Sequence, residues 1–144
     1  MSPSASECGF CRIVAGEVAA ATVLEDEVSM AFLDHRPLFP GHCLLVPKSH
    51  YETLADLPLA QVGPLFTVAQ RVARAMEDGL AAEGSFVAVN NRVSQSVAHL
   101  HIHVVPRRKK DGLKGFFWPR GRYATALEME TVRATLEDAV AGLS

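Results

Sequence analysis

The chain has 144 residues, 49% of them hydrophobic, which is enough for one domain with a sizeable core and short for two. A formal net charge of −2 offers no general attraction for DNA or an anionic membrane, so any recognition of phosphate has to be local. No apolar run approaches the roughly 18 residues of a membrane span, the opening MSPSASECGF has neither part of a secretory signal, and an odd count of three cysteines fits a reducing compartment, so a cytoplasmic location is expected.

The elements read in chain order describe one α+β unit without repeats. Residues 1–7 form a loose polar arm, and a single domain is expected over 8–144. A short helix is predicted at 10–15, then strands at 22–26 and 28–33 around a tight turn at Glu25-Asp26. His42 to Val46 is a further strand, bounded by Pro40-Gly41 and Pro47. The longest helical pattern runs over 59–80, where Val62, Leu65, Phe66, Ala69, Val72, Ala73 and Met76 recur at steps of three and four and so define a buried face. Ser85 to Val89 reads as a strand, NNRVSQS as a loop, and His99 to Val105 as another strand. Leu127, Val132, Leu136 and Val140 place an amphipathic helix over 125–143.

The chemistry concentrates in AHLHIHVVPR. A strand over 99–105 puts His99, His101 and His103 on one face and Leu100, Ile102 and Val104 on the other. The residues alone allow a partly solvated strand face, a three-histidine metal site, or nucleophilic catalysis in which one neutral imidazole attacks and its neighbours set its tautomer. Cys8-x-x-Cys11 can hold one side of a zinc ion or stand as a free thiol pair; a closed tetrahedral site needs two further ligands, and there is no second CxxC. Cys43 reads as a small core residue.

The run His99-Leu100-His101-Ile102-His103-Val104-Val105 resembles the signature of the histidine triad (HIT) nucleotide hydrolases and transferases. The likeness extends through CGFCRIVAGEV, AFLDHRPLFPGHCLLVPKSH and VNNRVSQSVAHLHIHVVPR, covering residues 8 to about 107. It implies an antiparallel sheet of about five strands with a long helix and a C-terminal helix, joined in a homodimer through the long helix and a sheet edge. It also implies attack by His101 on the α-phosphate of a purine nucleotide, giving a nucleotidyl-histidine intermediate. In that scheme His103, Gln95 and Ser96 complete the catalytic group. Asp34 takes the ribose hydroxyls, Asn90 and Ser94 lie in the phosphate loop, and Phe10, Ile13, Phe32, His35 and Leu44 surround the base. Ser94 stands where the family usually has glycine, and His35 where an aliphatic residue is common. His42 belongs to the same nucleotide site and supports the hydrogen bonding of the triad.

The resemblance also completes the metal ligands, since HIT proteins of this shape pair CxxC with two histidines. Carried over, a structural zinc is held by Cys8, Cys11, His50 and His99. The cationic and aromatic run RRKKDGLKGFFWPRGRY is either a solvated loop or an electrostatic entrance for a polyphosphate, with Trp118 near a partner subunit's site. The implied substrates are a nucleoside phosphoramidate, a dinucleoside polyphosphate or a nucleoside-phosphosulfate-like compound, with no nucleic acid or membrane partner. Two rivals remain at this point: a metallohydrolase using all three histidines as ligands, and a non-enzymatic nucleotide-binding regulator.

Overall fold

The computed structural model describes residues 7–113 and 120–143. The chain divides into two units, Met1–Asp111 and Gly112–Ser144. Residues 1–6, most of the expected polar arm, lie outside the described part.

The first unit carries α1 (Gly9–Val14), β1 (Thr22–Glu25), β2 (Ser29–Leu33), β3 (Cys43–Pro47), a 3₁₀ turn at Leu54–Asp56, α2 (Leu59–Leu80), β4 (Gly84–Val89) and β5 (Ile102–Arg107). The strands form one antiparallel sheet in the order β1-β2-β3-β5-β4. Asp26 closes the first hairpin, its Oδ1 accepting from the Val28 and Ser29 amides at 2.9 and 2.8 Å, so the turn spans Asp26–Ser29 and lies slightly beyond Glu25-Asp26. Both faces of the central strands are covered, and β3 accordingly reads as unbroken burial without alternation. On one face Ala31, Leu45, Ile102 and Val104 meet Leu65, Val68, Ala69, Val72 and Met76 of α2. Each fully buried Val, Leu, Ile or Met side chain contributes about 1.5–3 kcal/mol. On the other face Phe32 pairs with Leu44, and Leu44 with His103, so these three form one row across the sheet, against which α1 sets Phe10.

Two expectations shift. Within α2 the buried stripe takes Val68, while Phe66 is 37% exposed, because one residue past Leu65 is a 100° rotation away from the sheet. The triad strand starts at Ile102 instead of His99 and runs on to Arg107. Residues 99–101 leave the ladder because their groups bond elsewhere: the Leu100 amide donates to Tyr51 O at 2.6 Å, and the His99 ring to Pro47 O at 2.8 Å. Pro47, at the end of β3, has no N–H to offer them. The alternation of faces survives, with Leu100, Ile102 and Val104 together against α2.

Tight joints fix the ends of these elements. Gly41 has φ +101°, a backbone conformation that strains any residue with a side chain, and the end of the Leu80 side chain packs over it where the β2–β3 loop meets the end of α2. Arg108 donates to Leu80 O and Ala81 O at 2.6 and 2.7 Å, satisfying two carbonyls that a helix terminus leaves open. In the second unit α3 (Ala126–Ala141) is N-capped by Thr125, whose hydroxyl accepts from the Glu128 amide at 3.0 Å. The predicted helix forms, but Leu127, Leu136 and Val140 are at least 60% exposed, and no described residue of α3 is buried.

Candidate active site and metal centre

The backbone decides which nitrogen of each histidine is available. The tautomers follow from the partners, since a neutral imidazole carries one N–H and one lone pair. His99 is fully buried, and its Nε2–H donates to Pro47 O at 2.8 Å. Its Nδ1 lone pair therefore faces the Sγ atoms of Cys8 at 3.4 Å and Cys11 at 3.5 Å. His50 Nδ1 lies 3.3 Å from Cys11 Sγ, and the four donor atoms fall within 4.8 Å of one another.

These residues fit zinc. With bonds of about 2.3 Å to sulfur and about 2.0 Å to nitrogen, tetrahedral ligands stand roughly 3.5 Å apart. Burial, then the adjacent Cys8, pushes the Cys11 thiol up to about 11, so Cys11 ionises readily here only beside a cation. Burial pushes His99 down to about 4, which keeps it in the neutral, ligating form. Its bond to Pro47 O is the second partner that orients a metal-ligating imidazole. His50 lacks one: its buried Nε2 is the one such side-chain atom without a partner among the described residues.

Two residues along, His101 Nδ1–H donates to His99 O at 2.8 Å, leaving Nε2 with a bare lone pair. The neighbouring His103 has the opposite tautomer. The Leu38 amide donates to His42 Nδ1 at 3.1 Å, so His42 carries its proton on Nε2 and donates it to His103 Nδ1 at 3.0 Å. His103 thus holds its own proton on Nε2. Burial lowers the basicity of His42 and His101, and burial with the nearby His101 and His42 takes His103 to about 4, so all three are neutral near pH 7. The His101 and His103 rings are 5.0 Å apart, one a lone-pair donor and the other an N–H donor.

Both open into a cavity of about 760 Å³, of the size that takes small molecules. Ser96 stands with them, Asp34 and His35 lie on its wall, and Phe10, Ile13, Phe32 and Leu44 supply an apolar surface. Asp34 Oδ1 accepts from the Arg36 amide at 2.9 Å, and Oδ2 is 3.7 Å from His42 Nε2. The other expected residues stand outside the lining. His42 is buried behind His103. Gln95 has its amide engaged, Oε1 accepting from the Arg92 amide and Nε2 donating to Glu52 O, both at 2.7 Å, so it ties the loop to the 51–53 segment. Asn90 and Ser94 are exposed, and Ser94 sits in left-handed backbone at φ +61°. Trp118 lies outside the described residues.

Sequence reasoning missed Arg12 and the wall formed by Val18, Ala19, Ala20 and Ala21, a stretch with no periodic signal. It also missed Leu38 and Pro47, which act through main-chain groups. His101 belongs to neither cluster of metal-type ligands, so the three histidines do not converge on one ion.

A HIT domain model matches residues 15–110, and the chain belongs to the HIT family. It is 36% identical over 109 residues to adenosine 5'-monophosphoramidase HNT1 of Saccharomyces cerevisiae, covering 74% of this chain and 66% of that protein. It is 33% identical over 110 residues to adenylylsulfatase HINT3 of Arabidopsis thaliana, covering 75% of this chain and 56% of that one. Among solved structures it resembles a Zn-bound histidine triad family protein from Mycobacterium smegmatis, with a TM-score of 0.73 and 36% identity, covering 97% of this chain and all of that one. No described helix is long and apolar enough to cross a membrane.

Proposed function

We propose that the protein is a nucleotide hydrolase or nucleotidyl transferase that acts on the α-phosphate of a purine nucleotide carrying an amine, sulfate or phosphate leaving group. The observation that carries this reading is the pairing of tautomers: His101 presents a lone pair, and His103 an N–H, to one cavity. His101 Nε2 forms a bond to phosphorus as the bond to the leaving group breaks. The N–H of His103 and the hydroxyl of Ser96 stabilise the charge growing on the phosphoryl oxygens. Water then attacks phosphorus and releases the nucleoside monophosphate, or another acceptor attacks and leaves carrying the nucleotidyl group; in either case the P–N bond breaks and His101 is restored. Asp34 accepts from the ribose hydroxyls, and Phe10, Ile13, Phe32 and Leu44 take the base. The activities named for the yeast and Arabidopsis relatives support this substrate class.

Zinc at Cys8, Cys11, His50 and His99 is part of the same reading; when bound it supplies a structural cross-link between α1 and the triad segment. The Zn-bound relative supports it. The three free cysteines fit a cytoplasmic location. A symmetric dimer joins two sheets through the outer edge of β4 and the exposed side of α2, where Phe66, Leu80 and Val87 stand. Light scattering on the purified protein should give twice the chain mass, and a monomer at micromolar concentration rejects the dimer.

The test of the function is turnover of adenosine and guanosine phosphoramidates together with mass spectrometry after an alkaline denaturing quench, because the P–N bond of a histidine adduct is labile in acid. The wild type should accumulate a nucleotidyl adduct on His101. His101→Ala should lose about three orders of magnitude or more in turnover while still binding nucleoside monophosphate. Asp34→Asn should chiefly raise KM and erode the preference for ribose over deoxyribose. Nucleotide binding with no turnover in the wild type leaves the binding-regulator alternative standing.

A further inference from the structure

Helix α1 is six residues long, far below the length at which a helix holds itself in water. Its anchors are its own side chains: Cys8 and Cys11 in the metal cluster, with Cys8 Sγ also accepting from the Cys11 amide at 3.3 Å, and Phe10 between them. The Phe10 ring meets Phe32 at 5.5 Å, His101 at 5.1 Å and His99 at 5.9 Å, in each case edge to face. One turn of helix therefore carries two metal ligands, a wall of the nucleotide cavity and a packing contact on the nucleophile. His99 repeats the arrangement, since its ring faces the thiols while its carbonyl holds His101 Nδ1–H.

We infer that metal binding and nucleotide binding in this protein are positively linked, with Phe10 as the positioning residue that joins the two sites. The inference rests on the nucleotide reading above. A bound cation fixes Cys8 and Cys11, and so the pose of Phe10 against His101 and the base surface. A nucleotide lying on Phe10 in turn holds the two cysteines in ligating positions. Linkage requires each ligand to tighten the other by the same factor, and couplings of this kind run at about five- to a hundredfold.

The experiment measures AMP affinity by calorimetry on zinc-loaded and chelator-treated protein, and zinc affinity by competition with a chromophoric chelator with and without AMP. Circular dichroism and thermal unfolding check that the sheet persists. Both arms should return one factor, about fivefold or larger. Phe10→Ala should still take up zinc, yet bring the factor towards one, and Phe10→Leu, which keeps an apolar contact, should recover part of it. Equal AMP affinity with and without zinc overturns the linkage, as does a Phe10→Ala protein with wild-type coupling. Global unfolding on zinc removal overturns it too, because the coupling is local to the N-terminal segment. If AMP binds neither form, the hydrolase reading itself fails and the linkage with it.

Discussion

Two clusters in this molecule each bring a pair of histidines together with acidic or thiol side chains, and they have opposite capacities. Cys8, Cys11, His50 and His99 lie within 4.8 Å of one another, and so do Asp34, His42 and His103. In the first, a main-chain carbonyl takes the proton of His99 and turns a lone pair inward. In the second, the Leu38 amide occupies the lone pair of His42 and forces its proton towards His103. A neutral imidazole so held cannot ligate through that nitrogen. The difference teaches that the hydrogen-bond partner behind a histidine, more than the company in front of it, decides between metal ligand and proton donor.

The largest effect expected from breaking this contrast is at the first cluster. Cys8→Ser, Cys11→Ser should fall from about one zinc per chain to none by elemental analysis, with a clear drop in melting temperature. Full retention removes the cysteines from the site. At the second cluster, His42→Ala should leave the zinc content at one per chain and lower kcat about ten- to a hundredfold, the range found when an orienting partner of a histidine is removed. His42→Gln, whose amide can accept from Leu38 and donate to His103, should recover most of that. A second zinc in the wild type at equilibrium, lost in His42→Ala, contradicts the tautomer assignment. The smallest effect concerns the loop that precedes the triad. Ser94→Gly should raise stability by about 0.5–1 kcal/mol in denaturant unfolding, because a side chain at φ +61° is strained where glycine is not.

What was legible in the sequence follows the side chains. The alternation of His99, His101 and His103 with Leu100, Ile102 and Val104 announces two faces, and the structure keeps them apart: the aliphatic residues enter the core, His101 and His103 line the cavity, and His99 is buried against the thiols. The 59–80 helix is legible for the same reason, its apolar residues recurring at a helical period. Where main-chain groups decide, the letters are silent. The carbonyls of Pro47 and Tyr51 draw residues 99–101 out of the ladder, and the Leu38 amide sets the state of a histidine four residues on. Gln95 matches a motif position, yet the loop geometry engages both ends of its amide. Periodicity gave α3 its helix, but a period states which residues share a face and not what covers it.

The basic run at 107–110 has a consequence for how charged molecules approach. Arg107 is clamped by Asp111 at 2.6 Å, which cancels its charge locally. Arg108 lies on the carbonyl end of α2, where the helix dipole offsets part of its own. Of four consecutive cations, Lys109 and Lys110 remain to project a field into solvent. The long-range pull on an anion arriving from that side is therefore nearer that of two charges than of four. At physiological ionic strength such a pull decays within about 8 Å, so these cations do little to draw in an anion from farther away.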